Sequence, residues 1–161
     1  MCYGRACDPT LTASLSAIAS RQTKGTEDVM AACHQLLDYL ATHPNAAIRY
    51  HTSDMILAFD TGASYLSKPD GKSRAAAYYY LTRSSDKEFN NGAVNILSTI
   101  IKHVMASASE AETGALFYGC KRVIPYRATL EEMGHAQPGP TPVTTKKNTA
   151  HELTRLRSPR S

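Results

Sequence analysis

No apolar run in this 161-residue chain approaches the roughly 20 residues that a membrane-spanning helix requires. The N-terminus also lacks the basic-then-apolar layout of a signal peptide. There is no CxxC pair among Cys2, Cys7, Cys33 and Cys120, and no histidine stands at metal-ligand spacing from them. The four therefore read as free thiols rather than zinc ligands. The body of the chain has no excess of either charge. Residues 1–145 carry 13 basic and 13 acidic groups, and the formal net charge of +4 arises in the tail, where Lys146, Lys147, Arg155, Arg157 and Arg160 face only Glu152. A balanced body is weak ground for nucleic-acid binding, because neutralising phosphates needs a basic surface. These absences point to a soluble, intracellular, cytoplasmic protein with no membrane partner.

What is present suits a globular chain. Hydrophobic residues make up 42% and charged residues 20%, enough for one domain with a real core plus flanking pieces. Thr26, followed by Glu27 and Asp28, has the character of a helix N-cap with acids in the first turn. Val29, Cys33, Leu36, Leu37 and Leu40 then recur as an amphipathic stripe until Pro44. Residues 11–19 carry a weaker stripe, and Cys2 to Pro9 reads as irregular.

From Met55 the run MILAF predicts a short buried strand, and KPDGKS at 68–73 has the Pro-Asp-Gly chemistry of a hairpin turn. A tyrosine-rich strand is expected at 75–82. After a turn at 84–92, a β-branched strand follows at 93–105. The period then lengthens: Ala111, Ala115, Leu116 and Val123 mark a helix over 107–124 that Pro125 kinks or ends, with another turn or two at Tyr126 to Met133 and Gly134 as its cap. Thr141 to Thr145 predicts a short fourth strand. The order is β-β-β-α-β, a mixed α/β pattern left open at its C-terminal side.

Asp60-Thr61-Gly62-Ala63 after a buried strand is similar to the catalytic loop of aspartic proteases, in which two aspartates share one proton. A retroviral-type protease of that kind would be almost entirely β and would take its second aspartate by dimerising. The long helix predicted downstream argues against it.

Longer segments carry a different likeness. The stretch from Gly62 to Thr82 (GASYLSKPDGKSRAAAYYYLT), then SEAE-x-GALF from Ser109 and TLEEMGH-x-QP from Thr129, resemble the ribonuclease H region of copia-type (Ty1/copia) retrotransposon polyproteins. Residues 8–44 are similar to the connection that joins reverse transcriptase to that region. The resemblance covers about residues 6–145. It implies a helical connection over 1–50, a partial ribonuclease-H-like domain over 54–145, incomplete at its C-terminus, and a basic disordered tail over 146–161.

That family hydrolyses the RNA strand of RNA/DNA hybrids with two Mg²⁺ ions held by converging acids. Carried over, the acid positions fall on Gly62, Glu112, Lys146 and a segment beyond the resembling text. Glu112 alone keeps its acid. Asp60 is the nearest substitute for position 62, yet it lies about 6.6 Å away along a strand, a large offset for metal bonds of about 2.1 Å. Lys146 would set an ammonium where a cation should bind. The resemblance therefore implies Mg²⁺ as ancestral cofactor, RNA/DNA hybrid and the rest of the polyprotein as partners, and little or no nuclease activity. It admits a virus-like particle or the nucleus as location, and a decayed reading frame as origin.

Glu112 also has a plain reading, since Ser109-x-x-Glu112 and Ser107-x-x-Glu110 are both capping-box patterns. About 100° of turn per residue points Glu110 and Glu112 apart, so both cannot line one site. Tyr78, Tyr79 and Tyr80 suggest alternating core and surface aromatics, or a base-stacking platform. Lys121 and Arg122 suggest phosphate contacts or a solvated helix face. The six histidines are scattered. A non-catalytic remnant that grips nucleic acid through its tail is the remaining alternative.

Overall fold

The computed structural model describes residues 2–23, 25–84 and 91–145, which belong to two units, Met1–Ile48 and Arg49–Ser161. In the first unit, helix α1 (Cys2–Ala6) stands where the sequence suggests irregular chain, and a 3-10 turn at Pro9–Leu11 leads into α2 (Thr12–Ala19). Two local features account for this. The Asp8 carboxylate accepts from the Thr10 N–H at 3.0 Å and so begins the turn. Gly4 permits a close approach, because a Cβ there would lie 2.8 Å from Leu15 Cδ1.

Helix α3 (Glu27–Thr42) starts after Thr26 and stops two residues before Pro44, as the stripe predicts. Thr26 makes no side-chain capping bond, so the first-turn acids Glu27 and Asp28 are what favour this end. Val29 is buried and Leu37 is exposed, so the apolar face is narrower than expected.

The second unit is a mixed α/β layer. Strands β1 (Ile56–Lys68), β2 (Lys72–Thr82) and β3 (Ala93–Val104) form an antiparallel meander, and β4 (Val143–Thr145) runs parallel to β1 on its other side. The sheet order is β3-β2-β1-β4. Asp70 and Gly71 both adopt φ +64, the left-handed values that Asp and Gly tolerate in tight turns. The turn falls where Pro-Asp-Gly predicts it.

Strand β1 is far longer than MILAF alone. Asp60, Thr61 and Gly62 continue the strand opposite Tyr78, Ala77 and Ala76, and the Thr61 hydroxyl donates to the Ala76 carbonyl at 3.2 Å. Pairing with β2 overrides the weak strand preference of Asp and Gly.

Helix α4 (Ala108–Glu132) is continuous, and Pro125 lies inside it. Proline deprives the carbonyl four residues back of its donor. That residue, Lys121, and Pro125 itself are both exposed, where water can replace the missing N–H. The helix closes as expected at Gly134, with φ +91 and the His135 N–H donating to the Leu130 carbonyl at 2.9 Å.

Odd-numbered residues of β1 face α4. Leu57, Phe59, Ala77, Tyr79, Leu97, Val123 and Leu130 form the main core, and Ala75, Ile101 and Ala115 a second cluster against which Ala63 packs. Ala111, Ala115, Gly119 and Val123 make the buried stripe of α4. Gly119 is required there: a Cβ would come within 2.7 Å of Phe59 Cε2. Its carbonyl accepts from the Tyr79 hydroxyl at 2.9 Å, which joins helix to sheet through a buried hydrogen bond.

Candidate functional site

The two capping-box candidates separate cleanly. Ser107 is the N-cap: its Oγ accepts from the Glu110 N–H at 3.1 Å, while Glu110 Oε2 accepts from the Ala106 N–H at 2.6 Å. Glu112 is thereby left out of the cap. It lies half-buried one residue past Ala111, on the flank of the helix turned toward β1. Its Oε2 accepts from the Ala63 N–H at 3.2 Å.

That contact belongs to a series. Along β1, the N–H groups of Leu57, Phe59 and Ala63 all point away from β2. Leu57 donates to Gln137 Oε1 at 2.9 Å, Phe59 to the Pro142 carbonyl at 3.2 Å, and Ala63 to Glu112. Strand β4 occupies the interval, with Val143, Thr144 and Thr145 beside Phe59, Asp60 and Thr61. The Glu112 carboxylate thus sits on the β4 side of β1, one residue beyond Gly62 and near the level at which the described part of β4 ends. Lys146 lies outside the described residues.

Asp60 does not join it. Strand alternation turns Asp60 to the face opposite α4, where it is buried to 5% exposure and the Tyr80 hydroxyl approaches its Oδ1 at 3.4 Å. The Glu112 carboxylate meets the outer edge of β1 at Ala63, next to position 62, whereas Asp60 lies two residues back along the strand and is turned to Tyr80. Gly62 shares the face of Asp60 and offers no donor atom. Among the described residues, no three His, Cys, Asp or Glu side chains assemble into a group fit for a metal ion. A single carboxylate at this edge is too poor a donor set for a Mg²⁺ pair.

The protease-like motif is likewise placed otherwise than a catalytic loop requires. Asp60-Thr61-Gly62 lies within a 13-residue strand, paired with β2 throughout and, at Asp60 and Thr61, with β4 as well. The tyrosine run offers no stacking platform, since Tyr79 and Tyr80 are 0% and 3% exposed. Tyr78 is half-buried and donates to the Asn91 carbonyl at 2.9 Å. Burial raises its phenol to about 12, with smaller contributions from Tyr50 and Asp60. Burial also pushes the Tyr79 phenol up. Lys121 lies over the ring of Phe117, 4.6 Å from its centre, on the exposed side of α4.

Sequence reasoning missed two residues that build this edge. The Gln137 amide accepts from the Leu57 N–H and donates to the carbonyls of Met55 (2.9 Å) and His135 (3.1 Å), so it substitutes for a strand residue. Arg127 donates to the carbonyls of Gly139 (2.7 Å) and Gln137 (2.8 Å) and to Thr141 Oγ1 (2.9 Å). It fastens the loop that delivers β4. Both lie in or just before the segment TLEEMGH-x-QP, but nothing in that text distinguishes a structural amide from a surface one.

No protein-family model matches this chain, and no curated protein or solved structure is significantly similar to it. Among the described residues, no helix is long and apolar enough to cross a membrane.

Proposed function

We propose that this chain is a degenerate ribonuclease-H-like domain of a copia-type retrotransposon polyprotein, derived from hydrolysis of the RNA strand of RNA/DNA hybrids and now without that activity. One observation carries the reading. Three segments that the resemblance assigns to the catalytic centre, β1 at Gly62, α4 at Glu112 and the end of β4, lie close together, with the Glu112 carboxylate hydrogen-bonded to Ala63. The sheet order β3-β2-β1-β4, antiparallel except for β4, supports it as the arrangement the family's fold calls for.

The loss of activity follows from chemistry. Two-metal hydrolysis needs several acids around two cations. Position 62 has no side chain, Asp60 is offset from it by about 6.6 Å along the strand and buried against Tyr80, and position 146 is a lysine. In the ancestral arrangement an acid at 62 and Glu112 would hold Mg²⁺. Here Glu112 holds a backbone N–H.

The test uses the full chain and a labelled RNA/DNA hybrid. Wild-type protein with Mg²⁺ is expected to release no more cleaved RNA than a metal-free control. Cleavage that Mg²⁺ supports and Glu112→Gln abolishes would overturn the inactive reading. In the opposite direction, Gly62→Asp combined with Lys146→Asp is expected to gain a Mg²⁺-dependent rise in melting temperature, lost again on adding Glu112→Gln. A folded double variant with no such rise would remove Glu112 from an ancestral metal position.

A further inference from the structure

We propose that two copies of this chain pair through the outer edge of β3, antiparallel and about a twofold axis at Ser98, into one continuous sheet. The two edges of the sheet differ. Strand β4 offers 3 residues, whereas β3 runs for 12, and among the described residues no strand pairs with β3 on its outer side. The direction of its backbone groups follows from β1. Odd-numbered N–H groups of β1 point away from β2, so alternation leaves the pairs Ala75–Thr99, Ala77–Leu97 and Tyr79–Asn95 to bond β2 to β3. The N–H and C=O groups of Ile96, Ser98 and Ile100 therefore point off the sheet. Such a row on an edge strand is a template for another strand, and proteins commonly blunt it with proline, charge or a bulge. Here the register shifts fall near the two ends of β3, opposite Tyr79/Tyr80 and Lys72/Arg74. Residues 95–101 between them contain neither proline nor charge, and the first charged residue of the strand is Lys102.

The sequence of the edge itself points to a second copy as the occupant. Antiparallel pairing about Ser98 sets Ser98 opposite Ser98, and Ile96 of one copy opposite Ile100 of the other. Outward-pointing groups then meet outward-pointing groups, and each pair exchanges both of its N–H···O bonds. The basic residues of β3, Lys102 and His103, are exposed and go to opposite ends, with the two Lys102 residues about 27 Å apart at about 3.4 Å per residue. A parallel arrangement would set them side by side, where like charges on neighbouring strands destabilise a sheet. A charged peptide would find no counter-charge along residues 95–101, whereas this edge matches its own inverse. The twofold contact is closed, so association through β3 stops at a dimer instead of growing into a fibre. Pairing over so short a stretch is a small interface and implies a transient dimer, with a Kd on the order of 10 µM. The edge does not involve Glu112, so it stands or falls apart from the nuclease reading.

Sedimentation equilibrium of the full chain, over concentrations spanning that Kd, is expected to show a mass rising from one copy to two. Ile100→Pro removes an outward N–H that β2 does not use. It is expected to weaken dimerisation by about tenfold or more, since the twofold axis loses the bond in both copies. A cross-linking pair of variants tests the register, in a background where Cys2, Cys7, Cys33 and Cys120 are replaced by Ser. Ser98→Cys is expected to cross-link with a short bis-maleimide, because directly opposed Cα atoms lie about 5.5 Å apart. His103→Cys, exposed but about 34 Å from its equivalent in the other copy, is expected not to. Should circular dichroism show Ile100→Pro misfolded, the cross-linking contrast decides. A wild type that stays monomeric, a folded Ile100→Pro that dimerises unchanged, or His103→Cys cross-linking as well as Ser98→Cys would each overturn the proposal. Binding of an unrelated extended peptide by a chain that remains monomeric would give the edge to a foreign strand and overturn it equally.

Discussion

The outer edge of β1 is finished in two different ways at its two ends. Near its start, the Leu57 N–H meets the neutral amide of Gln137, which also donates to two carbonyls and so both accepts and donates like a strand. Near its far end, the Ala63 N–H meets the Glu112 carboxylate, an ionised group that only accepts. The first arrangement extends the sheet. The second leaves further lone pairs on a charged group, a feature a sheet edge does not need.

The largest test falls between the two ends, at Phe59, which is 2% exposed and stacks on Tyr79 at 5.6 Å. Phe59→Ala is expected to destabilise the domain by about 3–5 kcal/mol in urea unfolding, loosening both ends together. Gln137→Ala comes next. It strips a backbone N–H and two carbonyls of partners and is expected to destabilise by about 1–3 kcal/mol. Glu112→Gln keeps an acceptor oxygen for Ala63 and is expected to change stability by less than about 0.5 kcal/mol. A loss at Glu112→Gln equal to that at Gln137→Ala would erase the distinction and make the carboxylate a structural element of the same kind.

The smallest effect concerns Asp54, beside the entry to β1. The N–H and hydroxyl of Ser84 donate to its Oδ2 at 2.7 and 2.9 Å and hold its carboxyl below the ordinary value of 3.8. A depressed folded value stabilises the fold above pH 3.8 and loses that contribution as pH falls through the folded value. A carboxyl titration followed by NMR is expected to place the Asp54 midpoint below 3.8, and Ser84→Ala to raise it.

Much of the second unit was legible from local chemistry. The hairpin turn, β2, β3, the helix stripe and the Gly134 cap follow from periodicity and from the few residues that accept left-handed backbone. Three things were not. Asp60-Thr61-Gly62 reads as a loop because Asp and Gly disfavour strands, and only pairing with β2 makes it one. Pro125 reads as a breaker, yet its position on the solvent side of α4 lets the helix run through. Gln137 carries no signal, since a side-chain amide becomes a strand mimic only through partners some 80 residues away.

The separation of Asp60 from Glu112 was within reach of the sequence. The two-residue offset of about 6.6 Å along a strand already sets residue 60 apart from position 62, next to which Glu112 meets β1. The capping question was open until the structure chose Ser107 with Glu110, which freed Glu112 for β1.

The close approach at Gly119 reaches further than its own packing. With no side chain in the way, the helix backbone rests against Phe59 and is bonded by Tyr79, so α4 can neither slide nor roll without breaking both contacts. Seven residues of helix, about 10.5 Å at 1.5 Å per residue, lie between that anchor and Glu112. Gly119 thus acts as the zero mark of a ruler laid along the sheet, and it sets where the carboxylate falls. A bulkier residue at 119 would be read out at the far end, as a shift of Glu112 along β1.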